Sequence, residues 1–166
     1  IAHRNNQVKI KDEDIIYMIH GKEYCVKDIT VIPILSAHYE LYDDEAGKPI
    51  CVAFIMKTHG KTFYFWGDGI IYNGLLDKLK DYSFDCFFAP INGRDWFREK
   101  NNIIGNINIR ELVGISNELN INCLVPNHFD MFDCNTENPE HFIFYLNKEN
   151  PSQEFRILKC GEYIEV

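Results

Sequence analysis

Four clusters of polar residues in this chain each follow an apolar, β-rich run, and their side chains are of kinds that hold metals or anions. The first is Ser36-Ala37-His38-Tyr39-Glu40. Its imidazole can give a ring nitrogen to a metal ion or take a proton as a general base. In Trp66-Gly67-Asp68-Gly69 a carboxylate stands between glycines, which let backbone approach a ligand closely, and aspartate is an ordinary oxygen ligand. In Pro126-Asn127-His128-Phe129-Asp130 a His and an Asp lie two apart. His128 can ligate, while Asp130 can orient it through the other ring nitrogen or meet a substrate. The fourth, Pro90-Ile91-Asn92-Gly93-Arg94-Asp95, offers in Arg94 a planar cation suited to a carboxylate or phosphate. Each cluster also has a plainer reading: a hydrogen-bonded loop histidine, a Gly-Asp turn, a structural loop, or a surface Arg–Asp pair worth about 0–1 kcal/mol. Repetition raises them together, because ligands gather where successive strands of an α/β sheet end. From the residues alone, they indicate a metal or anion site.

The elements that must carry these clusters are legible in outline. Two short apolar runs, residues 15–19 and 24–26, flank His20-Gly21-Lys22, which reads as a hairpin turn. A β-rich run covers residues 29–35, and its Pro33 argues against a central, fully paired strand or demands a bulge. Residues 43–49 read as a polar loop. Strands over 50–56 and 62–66 join at His59-Gly60. From Asn73 the period changes, with Leu75, Leu76 and Leu79 on a short helical face before a strand at 84–89. Asn108-x-x-Glu111 resembles a capping box ahead of a helix that faces inward through Leu112, Val113 and Ser116. A strand follows at 121–125, and Asn138-Pro139 opens a helix with Phe142, Tyr145 and Leu146 on one side. The chain closes with an expected hairpin of 155–158 and 163–166, turning at Gly161. Strands first and alternation later imply α/β layering with helices over at least one sheet face.

Bulk properties narrow the function classes. A chain of 166 residues suffices for one domain, burying roughly 70% of its unfolded surface. Its 46% hydrophobic and 25% charged residues are ordinary for a globular protein. No stretch approaches the run of about 18 apolar residues that would suggest a membrane span, and no signal-peptide pattern is legible. A net charge of −8 without a Lys/Arg run argues against nucleic acid, but leaves a small anionic metabolite open. The six cysteines lack any C-x-x-C pair and read as reduced thiols of a cytoplasmic protein.

At these same positions the chain resembles the metallo-β-lactamase superfamily, and within it the L-ascorbate-6-phosphate lactonase group. The matching stretches are His38-Tyr39-Glu40, Phe63-Tyr64-Phe65-Trp66-Gly67-Asp68, Pro90-Ile91-Asn92-Gly93-Arg94-Asp95, Ile104-Gly105-Asn106 and Pro126-Asn127-His128-Phe129-Asp130-Met131-Phe132, with Glu137-Asn138-Pro139 beyond them. The likeness runs from about Thr30 to the end, and residues 1–29 form a loosely matched, β-rich lead-in. The resemblance implies the C-terminal half of an αββα sandwich, a mixed sheet covered by helices. The superfamily's first-half motif, His-x-His-x-Asp-His, is missing, since the only earlier histidines are His3 and His20. The N-terminal half is therefore expected to be absent, and another layer, that half or a homo-oligomeric partner, is expected on the inner sheet face.

By the same resemblance His38, Asp68 and His128 are metal ligands, with Asp68 and His128 at the chemistry. Asn92, Arg94 and Asp130 face the substrate, Asp130 also serving the catalytic step. The implied ion is divalent, manganese or alternatively zinc. The implied reaction opens the lactone ring of L-ascorbate 6-phosphate to 3-keto-L-gulonate 6-phosphate. The alternatives are another hydrolase of this fold, such as a phosphodiesterase, or a half-domain without catalysis.

Overall fold

Seven strands lie side by side in the order in which the chain makes them, in the computed structural model, which describes residues 15–41 and 51–166. They are β1 Tyr24–Val26, β2 Ile29–Leu35, β3 Val52–Thr58, β4 Lys61–Phe65, β5 Ser83–Pro90, β6 Asn120–Asn127 and β7 Glu154–Phe155. From β1 to β4 the neighbours are antiparallel, and from β4 to β7 they are parallel. The switch follows from the connections. The short turns from β1 to β2 and from β3 to β4 can only reverse a strand, whereas the parallel pairs need crossovers. Those crossovers carry the helices α1 Leu75–Leu79, α2 Trp96–Lys100, α3 Ile109–Glu118 and α4 Pro139–Glu149. Because β2 and β4 are both antiparallel to β3, β2 runs the same way as β4, β5 and β6. All four polar clusters therefore emerge at one edge of the sheet.

Local chemistry fixes the helices. Asn108 and Glu111 form the reciprocal cap, Oδ1 accepting from Glu111 N at 3.0 Å and Glu111 Oε2 accepting from Asn108 N at 2.9 Å. Asn138 accepts from Glu140 N at 3.0 Å in front of Pro139, and Phe142 and Leu146, four apart, are buried. The short α2 has no apolar periodicity to announce it. It is set by Asp95, whose side chain accepts from Arg98 N at 2.9 Å.

One sheet face packs against α1, α3 and α4 around Tyr64, Trp66, Phe84 and Phe87. Tyr64 stacks on Phe87 at 4.6 Å and meets Trp66 edge-on at 5.9 Å. The opposite face is apolar too, through Phe63, Phe65, Cys86, Phe88, Cys123 and Val125, and among the described residues it is covered by the closing segment, chiefly Leu158 and Ile164. Phe65, stacked on Phe88 at 4.5 Å, is still 37% exposed. Every 100 Å² left in this condition forgoes roughly 2.5 kcal/mol of burial.

Two sequence expectations change, at residues 15–19 and at the closing hairpin. Residues 15–19 are not a strand. A turn does close at Lys22 N to Ile19 O, 3.2 Å, but β1 pairs with β2 through a tight reversal at Lys27, whose φ is 57°. Pro33 sits inside β2 without a bulge, where β3 alone pairs with the strand, in keeping with the expectation that it is not fully paired. Its missing N–H is harmless because β1 pairs only as far as Val31, and the Pro33 carbonyl accepts from Gly21 N at 2.7 Å instead. The closing hairpin has one strand, β7, which joins β6 in parallel; the chain turns at Gly161 (φ 88°), but residues 163–166 pair with nothing as a strand. The polar loop expected at 43–49 lies outside the described residues. All six cysteines are free thiols. Among the described residues no helix is long and apolar enough to cross a membrane.

Candidate metal centre

Each strand end delivers one side chain to the edge. After β2, Ser36 Oγ donates to the Asp68 carbonyl at 2.7 Å and Ile70 N donates to Ala37 O at 2.7 Å, so the His38 loop is stitched to the loop after β4. That loop is stitched onward: Gly69 N donates to Asn106 Oδ1 at 2.8 Å and Ile107 N to Gly69 O at 2.9 Å. The loop after β5 joins through Asn106 N to Gly93 O at 3.0 Å and Gly93 N to Ile107 O at 3.1 Å. Gly69 and Gly105 permit the crowding. A Cβ on Gly69 would stand 2.4 Å from Ser36 Oγ, and one on Gly105 would stand 2.5 Å from Gly93 O. After β6, His128 takes a left-handed backbone, φ 57°, which costs a side-chain-bearing residue on the order of 1 kcal/mol and turns its ring back toward the edge.

Asp68 is where these loops meet. His128 Nδ1 lies 3.1 Å from its Oδ1, and His38 Nε2 lies 3.8 Å from its Oδ2. Asn106 Nδ2 also donates to Oδ1 at 3.0 Å. Both imidazoles are mostly covered, whereas the carboxylate is 53% exposed, so the cluster opens to solvent through Asp68. The contact with His128, and then with His38, holds the Asp68 carboxyl far below the usual carboxylate range despite some burial, so it is an anion at any physiological pH. In return the Asp68 carboxylate raises the His38 pKa against the opposing effect of burial. Cys51 stands close enough to feel the same charge. Burial, and then Asp68, push its thiol upward.

The donor set suits a borderline or hard divalent ion. Nitrogen and oxygen ligands about 2.0–2.2 Å from a tetrahedral ion stand roughly 3.4 Å apart, near the 3.1 and 3.8 Å spacings here. The set is nonetheless open. Among the described residues, no group of three or more His, Cys, Asp or Glu is arranged to hold a metal ion by itself. Pairwise spacing and closure thus give different answers, and closure is the stricter test. The three side chains are of types that ligate such an ion, but they do not close a site by themselves.

The other sequence candidates lie apart from this point or behind it. Asn92 is buried and reaches Asp68 only through Asn106, whose Nδ2 donates to Asn92 Oδ1 at 3.0 Å. Arg94 is not a free cation. Its Nη1 and Nη2 fork onto Glu111 at 2.7 and 2.6 Å, and Nη1 also donates to Asn106 O at 3.2 Å. The plainer reading of Arg94 as half of an ion pair holds, with Glu111 in place of Asp95, because Asp95 is occupied as the α2 cap and pairs with Arg98. Asp130 is exposed, and the carboxylate at His128 Nδ1 is Asp68 instead. Asn106 was given no role by its sequence, since nothing in the spacing links it to a carboxylate 38 residues earlier. Arg94→Ala is expected to lower stability by about 1–2 kcal/mol, the worth of a partly exposed charged hydrogen-bond pair, and Arg94→Lys to recover only part because it lacks the fork. Urea unfolding of both variants measures this, and an unchanged midpoint would dismiss the brace.

Solved structures share this architecture. YhfI from Bacillus subtilis, a metallo-β-lactamase fold protein, superposes with a TM-score of 0.67 at 16% identity, over 90% of this chain and 55% of that one. This chain has the metallo-β-lactamase fold. Igni18, a metallo hydrolase from the hyperthermophilic archaeon Ignicoccus hospitalis, gives 0.69 at 17% identity, over 90% of this chain and 59% of that one. An isothiocyanate hydrolase from Delia radicum gut bacteria gives 0.67 at 14% identity, again covering 90% and 59%. The chain thus spans between 55% and 59% of the length of these structures, and its mixed sheet with helices on one face is consistent with a half domain of that fold. No family model and no curated protein sequence matches it.

Proposed function

We propose that this chain is the second half of a metal-dependent hydrolase and that His38, Asp68 and His128 are its share of the metal ligands. The convergence of side chains from the ends of β2, β4 and β6 on one ionised carboxylate is the observation that supports this most. A divalent ion held there, manganese or alternatively zinc, would supply a Lewis acid and an activated water. Asp68 brings the fixed negative charge, and the two histidines bring neutral donors on either side of it. An upstream half would add the remaining ligands and cover the apolar sheet face.

The narrower reading is a lactonase acting on L-ascorbate 6-phosphate, supported by the order of the stretches around His38, Asp68, Asn92 and His128. On that reading the exposed Asp130 is available to substrate, while Arg94 would have to leave Glu111 to meet the phosphate. A non-catalytic half-domain is the second reading, favoured by the open ligand set.

Metal analysis and hydrolysis assays on the full-length protein that contains this chain separate them. Bound divalent metal is expected, with lactone hydrolysis abolished by a chelator and restored by manganese, and with the 166-residue chain alone essentially inactive. Turnover of phosphodiesters without lactones would replace the substrate. A full-length protein with neither metal nor hydrolysis would sink the enzyme reading, and full activity in the 166-residue chain would sink the half-site argument.

A further inference from the structure

Asn106 is buried, and its amide has three defined partners. The backbone N–H of Gly69 can only donate, so the group facing it at 2.8 Å is the Asn106 oxygen. That fixes the orientation of the amide. The nitrogen must then point the other way, and its two protons go to Asn92 Oδ1 and Asp68 Oδ1, each at 3.0 Å. Every donor and acceptor position facing the site is used. Asn92 is as buried as Asn106, so water does not compete for that end. The backbone of Asn106 is pinned as well, by Gly93 O and by the Arg94 guanidinium on its carbonyl.

Asp68 depends on this arrangement. Its carboxylate is half exposed, and without a partner it would be free to swing about its terminal torsion. We propose that Asn106 is a positioning residue that fixes this torsion, its hydrogen bond to Oδ1 turning the carboxylate so that Oδ1 lies beside His128 and Oδ2 beside His38, both presented to the metal ion. The inference rests on the reading of Asp68 as a ligand and adds how that ligand is aimed. Partners that orient ligating groups in this way typically change metal affinity about 10–100-fold when removed.

Cobalt(II) serves as the probe in the full-length protein, with affinity taken from chelator competition, geometry from the visible absorption band, and melting measured separately in EDTA. Asn106→Ala is expected to weaken cobalt binding by about 10–100-fold and to shift the band. Asn92→Ala removes the other partner of the same amide and leaves the Asp68 contact in place. It is expected to lower the metal-free melting temperature while keeping cobalt affinity within about threefold of wild type. Asn106→Ser gives the same comparison if the alanine variant does not fold. Equal losses of affinity in the Asn92 and Asn106 variants, or none in either, would overturn the positioning role while leaving the metal reading intact. A wild-type protein that binds no cobalt would overturn the metal reading and this inference with it.

Discussion

Asp68→Asn is expected to reduce metal-dependent hydrolysis by the full-length protein about 10³-fold and to strip most of its metal, with little effect on folding. The substitution is nearly isosteric, so the seat between His38 and His128 keeps its shape. The remaining oxygen can still accept from Asn106, and Ser36 and Ile107 bond only backbone groups of this loop. What disappears is the one negative charge that both imidazoles face. A neutral amide offsets a dication poorly, and losing the Lewis acid forfeits several kcal/mol of transition-state stabilisation, on the order of 4 kcal/mol for three decades of rate. The fold should barely notice, because the carboxylate is half exposed and such pairs contribute about 0–1 kcal/mol. The measurements are kcat/KM, metal content by mass spectrometry and urea unfolding on the same sample. A variant that retains metal and acts within tenfold of wild type would remove Asp68 from the site. Loss of activity through unfolding would make Asp68 structural instead.

The sequence carried the positions of the site better than its wiring. His38, Asp68 and His128 could be picked out because each follows a strand whose apolar run is visible, and strands that run the same way end at the same edge. The capping box at Asn108 and the proline-led α4 were equally legible, since both depend on residues no more than three apart. What spacing did not supply was the side-chain partner of each polar group. Arg94, read as a candidate for an anion, is engaged by Glu111, which lies 17 residues on and was already explained as a cap. For His128 the sequence offered Asp130 as a neighbour, whereas the carboxylate that the fold brings beside Nδ1 is Asp68, 60 residues away. The missing α2 has a different cause: five residues with a side-chain cap and no buried face leave no periodic trace.

Gly105→Ala is expected to destabilise the chain by about 3 kcal/mol or more, a fall in melting temperature of roughly 6–12 °C. The reason is a close approach that no rotamer can relieve. The added methyl would meet Gly93 O and Arg94 Cβ at 2.5 Å and Arg94 Cα at 2.7 Å, two of them atoms of the main chain. That stretch of backbone cannot retreat cheaply, because Gly93 N and Gly93 O are bonded to Ile107 and Asn106, and Arg94 is forked onto Glu111. Relief by movement would therefore unlace the loops after β4 and β5 together and carry Asn106 away from Asp68. Gly114→Ala is the matched control. It lies within α3 with nothing inside 4 Å of a new Cβ, so the same chemical change should stabilise by about 0.5–1 kcal/mol through helix propensity and a less flexible unfolded chain. Thermal melts of the two variants in metal-free buffer give opposite signs if the close approach is real. A Gly105→Ala protein that melts with the wild type would mean that the loops are not packed together at this point. The seat assigned to Asn106 would then lose its foundation.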